Sequence, residues 1–464
     1  MNARLSHKPV HLRARWIMPT SAEGSAIENG EIVFENGTLE YVGPQRPAGT
    51  DQVIDIGNCA LLPGLVNVHT HLDYTLMRGL LEDVEFFPWI RELTARKAAL
   101  TQADWIASAT CGAAEAVASG ITTIGDCCDS GAALTGAIAL GLRGIVYQEV
   151  FGIDESRPVA AILQELKQRV INLNAEADGS RLSVGISPHA PYTVRPELMR
   201  ALAEYALAEN LRICIHASES QAEVELLRSG TGPFAEMFTR RGIAWNVPRK
   251  GAANYLHDLG ILGPNTLLVH GVQLAAEERE ALRQTDTAWA HCPKSNAKLG
   301  NGVASLPMLG LVSQGKGGAI GLGSDSVASN NSMDLFEEMR FAVLMQRAAR
   351  RKIAAMNAGQ AFEMATLGGA RALGMDNRIG TLEPGKCADI CVVKLDGLHS
   401  APTYEPINAI VYAARASDVQ QTWIDGELHY DADAPPSEQF PGRDISPARE
   451  QLRNAAQTMR EWRP

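Results

Sequence analysis

The stretch Leu61–Asp73 reads LLPGLVNVHTHLD, an apolar run that ends in His69-Thr70-His71. In an extended strand alternate side chains share a face, so the two imidazoles point one way and Thr70 the other. Two ring nitrogens converging at the end of a buried strand begin a site for a zinc-like cation. Three later stretches supply groups of the same kind: Ile215-His216-Ala217-Ser218-Glu219, Val269-His270-Gly271 and Gly323-Ser324-Asp325-Ser326. They predict His69, His71, His216 and Asp325 as ligands of one divalent metal, with a position left for water. A bound cation lowers the pKa of that water until hydroxide forms near neutral pH. Asp325 can touch the metal and accept the proton of the attacking water. Glu219 suits a proton shuttle between water, a ring nitrogen and the leaving group. His270 suits a hydrogen-bond partner of the water and of the tetrahedral intermediate, with direct ligation as the open alternative.

Each residue alone has a plainer reading. His270 could be a core histidine, Asp325 the cap of a helix and Glu219 a solvated first-turn carboxylate. Five such placements, all following apolar strands, favour the joint reading. The fourth strand ends Ser187-Pro188-His189-Ala190-Pro191-Tyr192 and carries no lysine that could become a carbamate bridging two metals. A mononuclear site is therefore expected. His189 is placed to hydrogen-bond a substrate ring, and His291, in His291-Cys292-Pro293, either shapes the pocket wall or packs.

The elements that must position these groups follow a regular pattern. Apolar runs at 61–68, 121–126, 144–150, 182–187, 211–215, 266–269, 287–290 and 319–323 read as strands. Stretches 102–119, 159–175, 196–209, 221–240 and 275–285 carry apolar residues at helical spacing between them. Eight strands alternating with helices fit an α/β fold of the (β/α)8 TIM-barrel type. The barrel is preferred to a doubly wound sheet because polar, chemically able residues follow almost every strand, at the face where a barrel gathers its site. Residues 10–17, 31–35, 38–42 and 53–57 read as short strands separated by Gly, Asn and Pro turns. Residues 389–394, 407–412 and 421–424 read as strands again, with Asp425-Gly426 as a hairpin signal. The expected division is 1–59 and 386–440 as the two parts of one small composite β-sandwich, 60–385 as the barrel and 441–464 as a tail. In that tail, 446–462 reads as a helix with Ser446 as N-cap and Pro447 at its first position.

The chain has 464 residues, 45% of them hydrophobic and 20% charged, an ordinary globular mix. A formal net charge of −11 and the lack of any basic run argue against nucleic-acid binding. No stretch of about 18 apolar residues predicts a membrane span, and the opening residues lack a signal peptide's apolar core. Eight scattered cysteines with no Cys-x-x-Cys suggest reduced thiols and a cytoplasmic location.

The ordered pieces LLPGLVNVHTHLD, SPHAPYT, IHASES, LLVHGV, AHCPKSN, GLGSDS and IGTLEPGKCADICVV resemble the amidohydrolase superfamily in its metal-dependent deaminase branch. The resemblance covers nearly the whole chain. It implies the barrel, the composite β-sandwich, one catalytic metal and hydrolytic removal of an amino group from an aromatic heterocycle. It gives His69, His71, His216 and Asp325 to the metal, and acid/base and water-binding roles to Glu219 and His270. The stretches YQEVFG, HASESQAEVELLRSGTGPF and SDSVASNNSMDLFEEMR are most similar to deaminases of adenine-bearing nucleosides. That group acts on S-adenosylhomocysteine, methylthioadenosine or aminodeoxyfutalosine, and the last is favoured; the products implied are the hypoxanthine counterpart and ammonia. Related chains process guanine, cytosine or s-triazines, which is the second reading; a non-catalytic barrel that binds a purine-like ligand is the third. The other zinc deaminase pattern, His-x-Glu with Pro-Cys-x-x-Cys, does not occur here.

After the first strand, Phe86, Phe87 and Trp89 offer enough aromatic surface to cover a flat ring. Phe86 and Phe87 could equally pack in the core, whereas the resemblance places Trp89 in the pocket. Arg78, Glu82 and Gln148 are further candidates for ribose or side-chain contacts. Zinc is the expected metal, with iron or manganese as alternatives for the same ligands. A small heterocyclic substrate is the expected partner, and the resemblance suggests a homodimer.

Overall fold

The computed structural model describes residues 9–22, 24–47, 53–306 and 318–461. Eight parallel strands run Leu65–Thr70, Ile121–Cys128, Arg143–Val150, Leu182–Pro188, Ile213–Ala217, Thr266–His270, Ala288–His291 and Ile320–Leu322, each hydrogen-bonded to the next. Helices such as Gln102–Ala118, Val159–Ala177 and Pro196–Ala208 cover the outside. This is the TIM-type barrel expected. Its interior is packed with Val66, Val68, Cys127, Tyr147, Cys214 and Leu267, all fully buried. The cylinder has one thin seam. The first and eighth strands meet through an isolated bridge between Thr70 and Asp325, where the Asp325 N–H donates to the His69 carbonyl at 2.9 Å. The Asn67 side chain reinforces it, donating to Ser324 Oγ at 2.8 Å and accepting from Ser324 N at 2.9 Å.

A second sheet takes strands from both ends of the chain. Val10–Ile17, Ile27–Glu35, Thr38–Pro44, Val53–Asp55 and Cys59–Pro63 join Ile390–Lys394, Val419–Ile424 and Glu427–Asp431. The run expected as one strand at 61–68 is thus two. Cys59–Pro63 pairs with Ile390–Lys394 in the small sheet, and Leu65 onward pairs with the second barrel strand. The chain crosses between sheets at Gly64, where a Cβ would lie 2.3 Å from Thr122 Oγ1, so only glycine fits. A buried ion network fastens the two parts. Arg143, at the base of the third barrel strand, donates to both carboxylate oxygens of Asp389 at 3.0 and 3.1 Å and to Asp425 at 2.6 Å. Arg181 also reaches Asp425, at 2.6 Å.

Two further expected elements differ. Residues 407–412 are helical, within Pro406–Tyr412, rather than a strand. Pro406 sits in the first turn, where its missing N–H costs nothing, and Ile410 and Val411 are buried. The helix expected over 221–240 is broken into Gln221–Ser229 and Gly232–Arg241, because Gly230 turns left-handed at φ 68° and ends the first segment. The tail helix begins at Ser446 itself and runs to Glu461, burying Ala455 and Met459; Trp462 lies outside the described residues. Among the described residues no helix is long and apolar enough to cross a membrane.

Candidate metal and active site

The barrel strands deliver the predicted groups to one place, the C-terminal mouth. His69 lies next to the end of the first strand and His71 just past it, His216 sits near the end of the fifth, His270 ends the sixth and Asp325 follows the eighth. All five are buried. The rings of His69 and His71 have centroids 4.9 Å apart, and those of His69 and His216 lie 5.0 Å apart. Asp325 Oδ1 stands 3.3 Å from His69 Nε2 and 3.6 Å from His71 Nε2. Yet His69 Nε2, fully shielded from solvent, makes no hydrogen bond. A buried donor set that converges without bonding to itself is what a cation-binding site requires, since buried polar atoms otherwise find partners.

The surrounding hydrogen bonds fix which atoms face inward. His216 Nδ1–H donates to the His189 carbonyl at 2.9 Å, leaving Nε2 for the centre. Asp325 Oδ2 accepts from the hydroxyls of Ser295 at 2.6 Å and Ser329 at 3.0 Å, leaving Oδ1 for the histidines. His270 Nδ1 lies 3.1 Å from Asn296 Oδ1, and its Nε2 faces Glu219 Oε2 at 3.8 Å. Asn301 donates to the other Glu219 oxygen at 3.2 Å. Ser218, His270 and Asp325 all have left-handed backbones, with φ of 54°, 71° and 58°. For residues other than glycine that conformation costs about 1–3 kcal/mol each, which the strand-end packing and these bonds must offset.

The electrostatics are those of crowded, buried histidines around one carboxylate. Burial pushes His71 down to about 3, with His69 adding to the effect, and it pushes His216 well below the usual range. Burial also opposes the charge on His69, but the Asp325 carboxylate outweighs it and raises that ring to about 10. Asp325 itself is held well below the usual carboxylate range, since the facing histidines overcome its burial. A divalent cation held between His69 and Asp325 would supply the positive charge that a proton on His69 otherwise sets beside that carboxylate. Burial raises Glu219 above the ordinary range, against the pull of His270.

Above the histidines opens a cavity of about 880 Å³. Trp89, Phe86, Phe87 and His189 line it, together with Glu219 and Asp325. His189 is held through Nδ1 by Thr193 Oγ1 at 2.9 Å, and its ring leans on Phe151 with centroids 4.8 Å apart. Burial lowers its pKa to about 3, so it is neutral. Gln148 is not brought to the cavity: its amide donates to the carbonyls of Asp129 and Glu149, each at 3.1 Å. Strand alternation places its neighbour Glu149 there instead, with the carboxyl 4.0 Å from His189 Nε2 and pushed up to about 8 by burial. Arg78 turns to Glu115 at 3.1 Å, and Glu82 pairs with Lys298 at 2.9 Å; neither lines the cavity. His291 is buried outside the lining, with both ring nitrogens unpartnered. Ser295, Ser329, Asn301 and Glu149 were not singled out by sequence. Ser295, Ser329 and Glu149 lie in the stretches AHCPKSN, SDSVASNNSMDLFEEMR and YQEVFG, whose positions after strands are their only signal, and Asn301 lies in none of them.

Residues 60–429 match the amidohydrolase family. Over 422 residues the chain is 35% identical to a 5-methylthioadenosine/S-adenosylhomocysteine deaminase of Syntrophobacter fumaroxidans, covering 89% of this chain and 90% of that protein. It is 33% identical to a 5'-deoxyadenosine deaminase of Methanothermobacter thermautotrophicus, covering 88% and 91%. Among solved structures, an adenosine deaminase from Xanthomonas campestris with bound zinc superposes with a TM-score of 0.83 at 25% identity, covering 98% of this chain and 99% of that one. An atrazine chlorohydrolase from Arthrobacter aurescens shares the fold, with a TM-score of 0.79 at 21% identity over 97% and 99%.

Proposed function

The chain belongs to the amidohydrolase family, as a hydrolase of the metal-dependent deaminase branch, and on that footing we propose that it deaminates the adenine ring of a 5'-substituted nucleoside. The observation that carries this reading is the convergence of His69, His71, His216 and Asp325 beside the Glu219–His270 pair, under an aromatic cavity. The first four residues would hold one divalent cation, zinc by the chemistry of its donors and by the zinc in the Xanthomonas structure. Such a cation supplies the positive charge that acidifies and orients the attacking water.

The chain's own residues carry the remaining steps. Asp325 accepts a proton from the water as its oxygen bonds to the amino-bearing ring carbon. Glu219 delivers a proton to the adjacent ring nitrogen, so that the ring accepts the electron pair. His270, aligned by Asn296, hydrogen-bonds the developing oxygen and stabilises the tetrahedral intermediate. Asp325 then passes its proton to the amino group as the carbon–nitrogen bond breaks and ammonia leaves, while the hydroxyl proton returns to Glu219 and the ring keeps the oxygen as a carbonyl. His189 and Trp89 hold the base in place. The relatives named for methylthioadenosine, S-adenosylhomocysteine and 5'-deoxyadenosine support a nucleoside altered at its 5' carbon; aminodeoxyfutalosine belongs to the same class.

Ammonia release by metal-loaded protein tests the reading on a panel of these nucleosides with guanine, cytosine and an aminotriazine. Adenine nucleosides should react and chelated protein should not. Silence on all of them with metal bound would move the activity to another heterocycle. Glu219→Gln should bind metal with unchanged stoichiometry and lose turnover; a variant as active as the parent would remove Glu219 from the mechanism.

A further inference from the structure

His69 has two ring nitrogens, and they face different sets of groups. Nε2 stands 3.3 Å from Asp325 Oδ1, in the upper set of imidazoles and carboxylate. On the other side of the ring, Cys127 Sγ lies 3.9 Å from Nδ1. Cys214 completes a lower group, in which the two sulfurs and a His69 nitrogen all lie within 4.8 Å of one another. The strands explain the placement. Cys214 precedes His216 by two residues on the fifth strand, so its side chain leaves the same face one layer deeper. Cys127 enters from the second strand, and alternation turns its neighbour Cys128 away, to Asp73 at 3.1 Å. Neither Cys127 nor Cys214 is in a disulfide, and both are completely shielded from solvent. His69 is not among the residues that line the cavity, so this group lies behind the cavity floor.

Two sulfurs and an imidazole nitrogen at this spacing suit one cation. Metal–sulfur bonds of about 2.3 Å and metal–nitrogen bonds of about 2 Å put ligand atoms on a shared ion roughly 3.5–4.6 Å apart. Two thiolates also cancel a double charge, so a filled site adds no net charge to the barrel interior, where charge is costly. Sulfur selects softer ions than the imidazoles and carboxylate above it. We propose that His69, Cys127 and Cys214 form a second cation site, which takes a soft divalent ion such as cadmium and competes with the upper site for His69. A neutral imidazole offers a metal one lone pair, on one nitrogen only. His69 serves the upper ion through Nε2 or the lower ion through Nδ1, so a soft ion below costs the upper ion a ligand. The thiols release their protons to water as the two metal–sulfur bonds form. The competition rests on His69 as a ligand of the upper ion and is independent of which heterocycle the enzyme takes.

Cadmium added to the zinc-loaded full chain tests the proposal. X-ray absorption at the cadmium edge should show two sulfur neighbours and a nitrogen. An ultraviolet sulfur-to-cadmium band should rise until one ion is bound per chain, and an indicator dye should record zinc leaving in step. Cys127→Ala and Cys214→Ala should each remove one sulfur from the shell, whereas Cys111→Ala, on an outer helix, should leave shell and band unchanged. A shell of oxygen and nitrogen alone would put cadmium in the upper site and overturn the proposal. A two-sulfur shell that survives both alanine variants would overturn it too, as would sulfur-bound cadmium with all the zinc retained. The absorption spectrum of the parent needs no variant, so a variant that fails to fold leaves the test decisive. Zinc uptake by the untreated chain, measured first by equilibrium dialysis, reads the upper site by itself. No uptake would sink the metal assigned there, while cadmium on two sulfurs would still establish the lower site.

Discussion

Asp325 meets three demands at once. Its N–H bridges to the first strand, one oxygen faces two histidines and the other accepts two hydroxyls. Ser295 and Ser329 therefore set which oxygen is free to act. Ser295→Ala should weaken metal affinity and lower kcat/KM by about tenfold, the usual scale for a group that orients a ligand. Metal titration alongside rates at saturating metal separates the two effects, and unchanged values in both would assign the serine to packing alone. Sequence identified His69, His71, His216, His270, Asp325 and Glu219 as one constellation because each follows an apolar run. Ser329 was out of reach, since a hydroxyl acquires a role only when another loop brings a carboxylate to it. Gln148 was one residue out of register: Glu149, next to it, is the one that faces the cavity.

At the scale of elements, the helix Leu335–Arg350 carries a carboxyl, Glu338, that is completely buried. It accepts from Asn330 Nδ2 at 2.6 Å and from the backbone of Lys294 at 3.2 Å, behind the loops that hold Ser295 and Asp325. Burial raises it to about 8, so the folded protein retains a proton that the unfolded chain gives up near the ordinary value of 4.5. Folding thus binds more protons than unfolding between those limits, and this group's contribution to stability declines as pH rises from about 4.5 to 8. Glu338→Gln exchanges an acceptor for a donor and should destabilise, but its deficit against the parent should narrow over that pH window in thermal melts. A constant deficit would show the carboxyl to be charged throughout. Element types were mostly legible from periodicity. The failure at 407–412 shows the limit: INAIVY is short, apolar and β-branched, which suits a buried strand or a buried helix, and only Pro406 favoured the helix.

For the whole molecule, the joint between barrel and small sheet hangs on Arg143, whose partner Asp389 lies 246 residues away in sequence. Nothing local to Arg143 announces such a contact. Arg143→Ala leaves Asp389 without its buried partner and should cost about 3–5 kcal/mol of stability. Arg143→Lys keeps the charge but cannot fork between two carboxylates, so its melting temperature should fall between parent and alanine variant. A parent-like melt for Arg143→Ala would show that the hydrophobic contacts suffice to hold the joint.

The seam between the first and eighth strands gives the metal a second task. With one isolated backbone bridge and the Asn67–Ser324 side-chain bonds joining them, the barrel is a rolled sheet whose two edges barely meet. His69 and His71 belong to one edge and Asp325 to the other. An ion shared by all three would act as a rivet through the overlap, so that loading the enzyme and fastening the cylinder are a single event. Amide exchange in Leu65–Thr70 and Ile320–Leu322 should slow on loading and quicken on chelation, while the strands opposite stay as they were.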